Sequence, residues 1–447
     1  MKKEYLIYKL SETVKTTCKI DNDLFVKYNV KRGLRNEDRS GVLVGLTQIG
    51  NVVGYERLPE GGVKAIPGKL YYRGYDVEDI VRALIKEKRF GFEEVAYLML
   101  SGELPDRESL ESFRELINDN MPLGQKTKMN IIDLEGQNIM NILARSVLEM
   151  YNFDPNPDDT SPDNLMRQSI DLISKFPTII AYAYNIFRHS THGHSLNIRH
   201  PKERLSIAEN FLYMLKKEYT ALDARTLDLL LVLHTEHGGG NNSTFTVRVT
   251  SSTGTDTYSA IAAGIGSLKG PLHGGANIQV ADMFSHLKSK IVDWTNVDEI
   301  DTYLMRMLKK ETYDKTGLIY GIGHAVYTIS DPRVTLLKEL ARDLAKEKGY
   351  QKEFNFLELL EKRAIKCFAD FKGISKQVSS NVDFYSGFVY EMIGLPQIIY
   401  TPLFAMARIV GWTAHRIEEL NFKSKRIIRP AYKNILDEQE YIPIQER

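Results

Sequence analysis

The chain has 447 residues, 43% of them hydrophobic, with 59 Lys plus Arg against 58 Asp plus Glu and only two cysteines. That length fits up to about three domains, or one large and one small lobe of a helical protein. A net charge of +1 supplies no basic field for a nucleic-acid backbone, and two cysteines far apart in sequence exclude a disulfide scaffold or a cysteine-based zinc site.

Up to about residue 70 the chain is turn-rich, and the alternation in Gly41–Tyr55 predicts one short hairpin. The first ten residues, MKKEYLIYKL, lack the apolar run of a signal peptide. From residue 70 onward the period is helical. Phe176–Phe187 and Gly394–Trp412 are the longest weakly charged stretches. They fall short of about 18 residues or are broken by Pro396, Pro402 and Arg408, so no membrane span is expected. Ser206 with Glu209 forms a capping box opening a helix to about Lys217, and Asp223 is read as the cap of the next. Leu227, Leu230, Leu231 and His234 share one face of that second helix. Thr257–Leu268 reads as a small-residue helix, and Ala276 to about Leu287 as another. Asp331-Pro332 is an N-cap followed by Pro at the first helical position, opening a helix to Gly349. Thr401-Pro402 repeats that device before a helix to about Leu420. The class is all-α, in a reducing, cytoplasmic compartment.

Among the histidines that adjoin glycine are His237, His273 and His324. Glycine beside a polar side chain allows close backbone approach to a ligand, though it also marks ordinary turns. His273, in GPLHGGAN, precedes a predicted helix. The positive end of a helix dipole keeps an imidazole neutral, a form that can donate to an enolate oxygen; the alternative is a water-satisfied loop histidine. His324 lies upstream of Arg333, which sits in the first turn of the Asp331-Pro332 helix. Helix amides and a guanidinium fork suit a carboxylate ligand, and a solvated charge is the other reading. Arg408 is the one charge in Pro402–Ala414, so once buried it must meet an anion from the protein or from a ligand. Asp383, between Val382 and Phe384, is either a desolvated general base or part of a helix cap near Ser386. Arg429, in a basic C-terminal stretch, reads by default as a surface charge. His234-x-x-His237 and His189-x-x-His192-x-His194 have metal-like spacings, but no further ligands lie nearby, and no metal is expected.

Together these residues resemble the citrate synthase family, over nearly the whole chain from GKLYYRGYDVEDI to IIRPAY. The specific blocks are Leu233–Asn277 (LHTEHGGGNNSTFTVRVTSSTGTDTYSAIAAGIGSLKGPLHGGAN), GIGHAVYTISDPR (Gly321–Arg333) and SSNVDFYSG (Ser379–Gly387). The NVDFYSG form is similar to the bacterial and archaeal branch, which includes 2-methylcitrate synthases. The resemblance implies that His273 would hydrogen-bond the thioester carbonyl of acetyl-CoA while Asp383 removes a methyl proton. His324 would polarise the ketone of oxaloacetate, and the citryl-CoA formed would be hydrolysed to citrate and CoA. His237, Arg333 and Arg408 would hold the substrate's carboxylate and carbonyl groups, with Arg429 lent by the other subunit of a homodimer. The CoA thioester is a substrate, and no cofactor is implied. The family fold implies a large domain, residues 1–275 and 386–447, with a small domain, residues 276–385, inserted and hinged near Gly274-Gly275 and Ser386-Gly387. The chain departs from the GHRVYK form of many bacterial relatives, having Ala325 and Thr328 in place of the Arg and Lys. Lys376 is the candidate replacement toward the CoA phosphates. The GGGNN after His237 also departs from the more frequent EQN-type continuation. Competing expectations are a 2-methylcitrate synthase using propionyl-CoA, a non-catalytic helical dimer and, more distantly, a metal-dependent hydrolase.

Overall fold

A computed structural model describes residues 3–38, 40–60, 62–134, 136, 138–373 and 378–446. Helices dominate, with one small sheet. The first part of the chain forms α1 (Lys3–Thr17), α2 (Asn22–Lys27), β1 (Gly50–Arg57), β2 (Val63–Tyr72), β3 (Tyr75–Asp76) and α3 (Val77–Glu87). Then follow α4 (Phe92–Ser101), α5 (Arg107–Asn120), α6 (Gln125–Asp133), α7 (Ile139–Met150), α8 (Pro162–His192), α9 (Ile207–Lys216), α10 (Ala221–His234), α11 (Asn242–Ser251) and α12 (Thr257–Leu268). The last third carries α13 (Ala276–Lys290), α14 (Val297–Leu308), α15 (Pro332–Lys348), α16 (Gln351–Lys372), α17 (Asp383–Met392) and α18 (Tyr400–Leu420).

Several helix starts follow the capping chemistry of the sequence. Ser206 and Glu209 form the expected reciprocal box at α9. Asp331 caps α15 by accepting from the Arg333 amide, and Gly349 ends that helix in the left-handed region. Three expectations shift. Asp223 is not the cap of α10: Thr220 is, and Asp223 completes its box from the third helical position. Thr401-Pro402 falls inside α18, which starts at Tyr400. The predicted hairpin moves downstream, because β1 pairs antiparallel with β2 (Gly50 opposite Tyr72) and residues 42–47 stay irregular. The turn-rich reading of the N-terminus also misses α1, a helix with no buried residue.

Packing divides the chain into two compact units. The first joins Met1–Arg89 to Ala276–Gln397. The unit is wider than the expected 276–385: the first 89 residues group with it because the sheet packs on the segment leading into α15, and residues 386–397 because α17 packs on α13 and α15. The Gly68 amide donates to the Ser330 carbonyl at 3.1 Å, and the Tyr327 hydroxyl to the Lys69 carbonyl at 3.1 Å. A Cβ on Gly68 would lie 2.2 Å from the Ser330 oxygen, so only glycine allows this approach.

The second unit joins Phe90–Gly275 to Ile398–Arg447. Its axis is α18, buried continuously from Tyr400 to His415 among α4, α7, α8, α10, α11 and α12. A helix buried on all sides explains why Pro402–Ala414 is almost uncharged. Gly411 lets α18 lie against the end of α10, since a Cβ there would meet Glu236 Oε2 at 2.4 Å and the Thr235 carbonyl at 2.6 Å. No helix among the described residues is long and apolar enough to cross a membrane.

Candidate active site

In the first unit, His324, Arg333 and Asp383 are placed by two loops strapped together. The Gly323 amide donates to the Ser379 carbonyl at 2.8 Å, the Asn381 amide to the Gly321 carbonyl at 2.9 Å, and the Asn381 side-chain amide to the Gly323 carbonyl at 2.9 Å. Gly321 has φ +81° and a Cβ on it would sit 2.8 Å from Phe384, so the strap needs glycine twice over, for its conformation and for its space.

Nδ1 of His324 accepts from the main-chain amides of Val326 at 3.0 Å and Tyr327 at 2.9 Å, and the ring stacks on Tyr327 with centroids 4.7 Å apart. Two donors on Nδ1 put the proton of a neutral ring on Nε2. Burial brings its pKa down to about 4, with Asp331 pulling the other way and Arg333 adding to the fall. His324 is thus a neutral Nε2–H donor.

Arg333 is buried at 3% exposure rather than solvated. Its Nε and Nη2 donate to the two Asp331 carboxylate oxygens at 3.0 and 2.7 Å. Burial opposes its charge, but Asp331 more than offsets this and holds the guanidinium protonated. One edge of the fork is therefore spoken for, and a ligand carboxylate would be met by Nη1. Asp383 is half-buried and forms the first residue of α17, where the field of a helix N-terminus favours a carboxylate. Its amide donates to Asn381 Oδ1 at 3.1 Å.

In the second unit, His273 lies in the turn between α12 and α13. Its Nε2 lies 3.4 Å from the Ser243 amide, which donates to it, and 3.1 Å from the Ser243 hydroxyl. The helix terminus it meets is that of α11, not the α13 terminus expected from sequence. The neutral tautomer with an accepting Nε2 leaves the proton on Nδ1. Burial, reinforced by the charge of Arg408, brings its pKa down to about 4. Trp412 also donates to the Ser243 hydroxyl, at 3.2 Å.

Arg408 is fully buried on α18. Its Nε donates to the His234 carbonyl at 2.9 Å, its Nη1 to Asn241 Oδ1 at 3.1 Å, and it lies over Phe404. His237 is buried in the segment joining α10 to α11. That segment is braced from behind: His415 Nε2 donates to Glu236 at 2.9 Å, while His415 Nδ1 accepts from Arg248 Nη2 at 2.7 Å. Burial works against a charge on Glu236, yet His415 and Arg408 hold its carboxyl below its ordinary value. Arg248 pairs further with Glu418, and with Glu419 at 2.7 Å. Sequence reading missed Ser243, Asp331 as the partner of Arg333, and the Arg248–His415–Glu236 brace. Only the Asp331-x-Arg333 spacing was visible beforehand.

Arg429 is exposed in the extended C-terminal segment, near where the Ile428 amide donates to Ser252. Lys376 lies outside the described residues. Among the described residues no three His, Cys, Asp or Glu side chains are gathered as a metal ion would need.

Residues 38–431 match the family model described as citrate synthase, C-terminal domain. A citrate synthase of Synechocystis is 34% identical over 86% of this chain and 90% of its own length. A 2-methylcitrate synthase of Corynebacterium glutamicum is also 34% identical, over 94% of this chain and 98% of its own. Among solved structures, citrate synthase from Thermotoga maritima superposes with a TM-score of 0.73 at 31% identity, covering 94% of this chain and 99% of the other. The citrate synthase of Thermoplasma acidophilum in ternary complex with carboxymethyl coenzyme A and oxaloacetate does so with a TM-score of 0.76 at 27% identity, over the same shares.

Proposed function

The chain belongs to the citrate synthase family of condensing acyltransferases, and we propose that it joins acetyl-CoA to oxaloacetate and releases citrate and CoA, the entry step of the tricarboxylic acid cycle. The observation that carries this reading is the pair of half-buried histidines, each held neutral with one ring nitrogen engaged by a main-chain amide. A thioester α-proton is weakly acidic, so a carboxylate takes it only while a preorganised neutral donor stabilises the enolate oxygen. In this scheme His273 donates from Nδ1 to the thioester carbonyl and Asp383 accepts the methyl proton. His324 donates from Nε2 to the ketone of oxaloacetate as the enol carbon attacks. Arg333 through Nη1, with Arg408 and His237, holds the carboxylates. The working form is a homodimer in the cytoplasm, with Arg429, exposed on a single chain, reaching the partner's oxaloacetate. Two cysteines in no disulfide agree with a reducing compartment.

The rival acyl donor is propionyl-CoA, because the 2-methylcitrate synthases match as well as the citrate synthases. One methyl group changes specificity by only ~1–3 kcal/mol. Comparing kcat/KM for acetyl-CoA and propionyl-CoA, each with oxaloacetate, decides it. The expected result is a preference for acetyl-CoA of about tenfold or more, and a propionyl preference would reassign the chain to 2-methylcitrate synthesis.

The histidines also set a pH dependence. Both titrate near 4 in the folded chain against 6.5 in the unfolded one, so the unfolded chain binds more protons between those values. Their contribution to stability is full above pH 6.5 and is lost as pH falls toward 4. Urea unfolding at pH 7 and pH 5 should therefore show a lower free energy at pH 5, and His324→Gln should flatten that difference. An unchanged slope in the variant would mean that His324 is not held neutral.

A further inference from the structure

We propose that Glu361 is a positioning residue for the Asp383 base, fixing the turn that carries it from both sides. The inference rests on the reading of Asp383 given above. Glu361 sits on α16, 8% exposed. One oxygen accepts from the hydroxyl of Ser380, three residues before Asp383. The other accepts from the phenol of Tyr385, two residues after it, at 2.7 Å, and from the Lys338 ammonium at 2.8 Å. One carboxylate thus holds the strand-like segment entering the Asp383 turn and the first turn of α17 leaving it, while Lys338 anchors the carboxylate to α15.

Simple structural bookkeeping would not need this arrangement. A buried carboxylate is satisfied once a cation and good hydrogen bonds reach it, and Lys338 already has a second partner in Glu358 at 3.2 Å. Both hydroxyls that Glu361 accepts belong instead to residues flanking the base. Ser380 is itself bridged to Ile322 in the loop bearing His324. Fixing Ser380 and Tyr385 therefore fixes the base relative to the histidine that polarises the other substrate. Displacing a reacting group by about 1 Å costs on the order of a hundredfold in rate.

The test uses the full-length protein and the variants Glu361→Ala, Glu361→Gln and Tyr385→Phe, assayed by oxaloacetate-dependent CoA release from acetyl-CoA and from acetyl-CoA deuterated in the methyl group. Glu361→Ala should lower kcat by about thirtyfold or more and leave KM for oxaloacetate within about threefold. Its deuterium isotope effect on kcat should rise above that of the wild type, because proton removal becomes the slow step. Glu361→Gln keeps an acceptor for one hydroxyl and should recover part of the rate. Tyr385→Phe, which removes one contact and folds with Glu361 in place, should lose about three- to tenfold, with the same rise in isotope effect. Wild-type kcat and isotope effect in the variants would overturn the inference, as would an activity loss that only follows the fraction of unfolded protein. A wild-type chain that condenses nothing would overturn the reading of Asp383, and this inference with it.

Discussion

Asp383→Asn is expected to lower kcat by about 10²–10⁴-fold, the usual contribution of a positioned general base. The variant keeps the shape of the side chain, the Asn381 contact to its amide and the start of α17. What it loses is a group able to accept a proton. KM for oxaloacetate should change little, because the ketone and carboxylates are assigned to His324, Arg333, Arg408 and His237. Thiol-reagent detection of released CoA, on protein with an unchanged circular dichroism spectrum, measures this directly. A variant within tenfold of wild type would remove Asp383 from the role of base.

Arg248→Met is expected to be among the most destabilising substitutions in the second unit, costing about 3–5 kcal/mol. Arg248 is 7% exposed and is the shared cation for Glu418 and Glu419, as well as a donor to His415. Methionine fills similar space but leaves two nearly buried carboxylates without their shared cation and frees the ring that braces Glu236. Arg248→Lys should recover only part of the loss, since an ammonium cannot reproduce the forked contacts. Urea denaturation followed by circular dichroism gives the number. A loss under about 1 kcal/mol would show that the two carboxylates are solvated well enough to need no partner.

The fold class and many helix boundaries were legible in the sequence because capping residues act over one turn: Ser206 with Glu209, and Asp331 with Pro332, behave as read. Thr220 and Asp223 were harder, since both are good caps and the reciprocal box uses one at each end. Helix α1 escaped because periodicity signals a helix through a buried face, and α1 has none. The second strand of the sheet was hidden by its own composition: β2 contains Lys64, Pro67 and Lys69, and it is held by pairing with β1 and by the close approach of Gly68 to Ser330. Within the candidate site, His273, His324 and Asp383 stood out through their glycine and apolar neighbours. Their protonation states did not. The proton position on His273 depends on Ser243, 30 residues away, and on the start of a helix that is not the next one in the chain. The half of the Arg333 fork taken by Asp331 depends on side-chain rotamers that no spacing reveals.

The strap between the loop of His324 and the turn of Asp383 joins segments 58 residues apart in sequence through the Asn381 side-chain amide, the Ser379 hydroxyl and two main-chain contacts. Asp383 and His324, the proposed base and the proposed ketone-polarising donor, therefore form one cassette. A chimera that takes the His324 loop from one relative and the Asp383 turn from another inherits two mismatched halves, however well each is chosen. Any recombination meant to retune this chemistry must move both segments, with Gly321 and Asn381, as one heritable block.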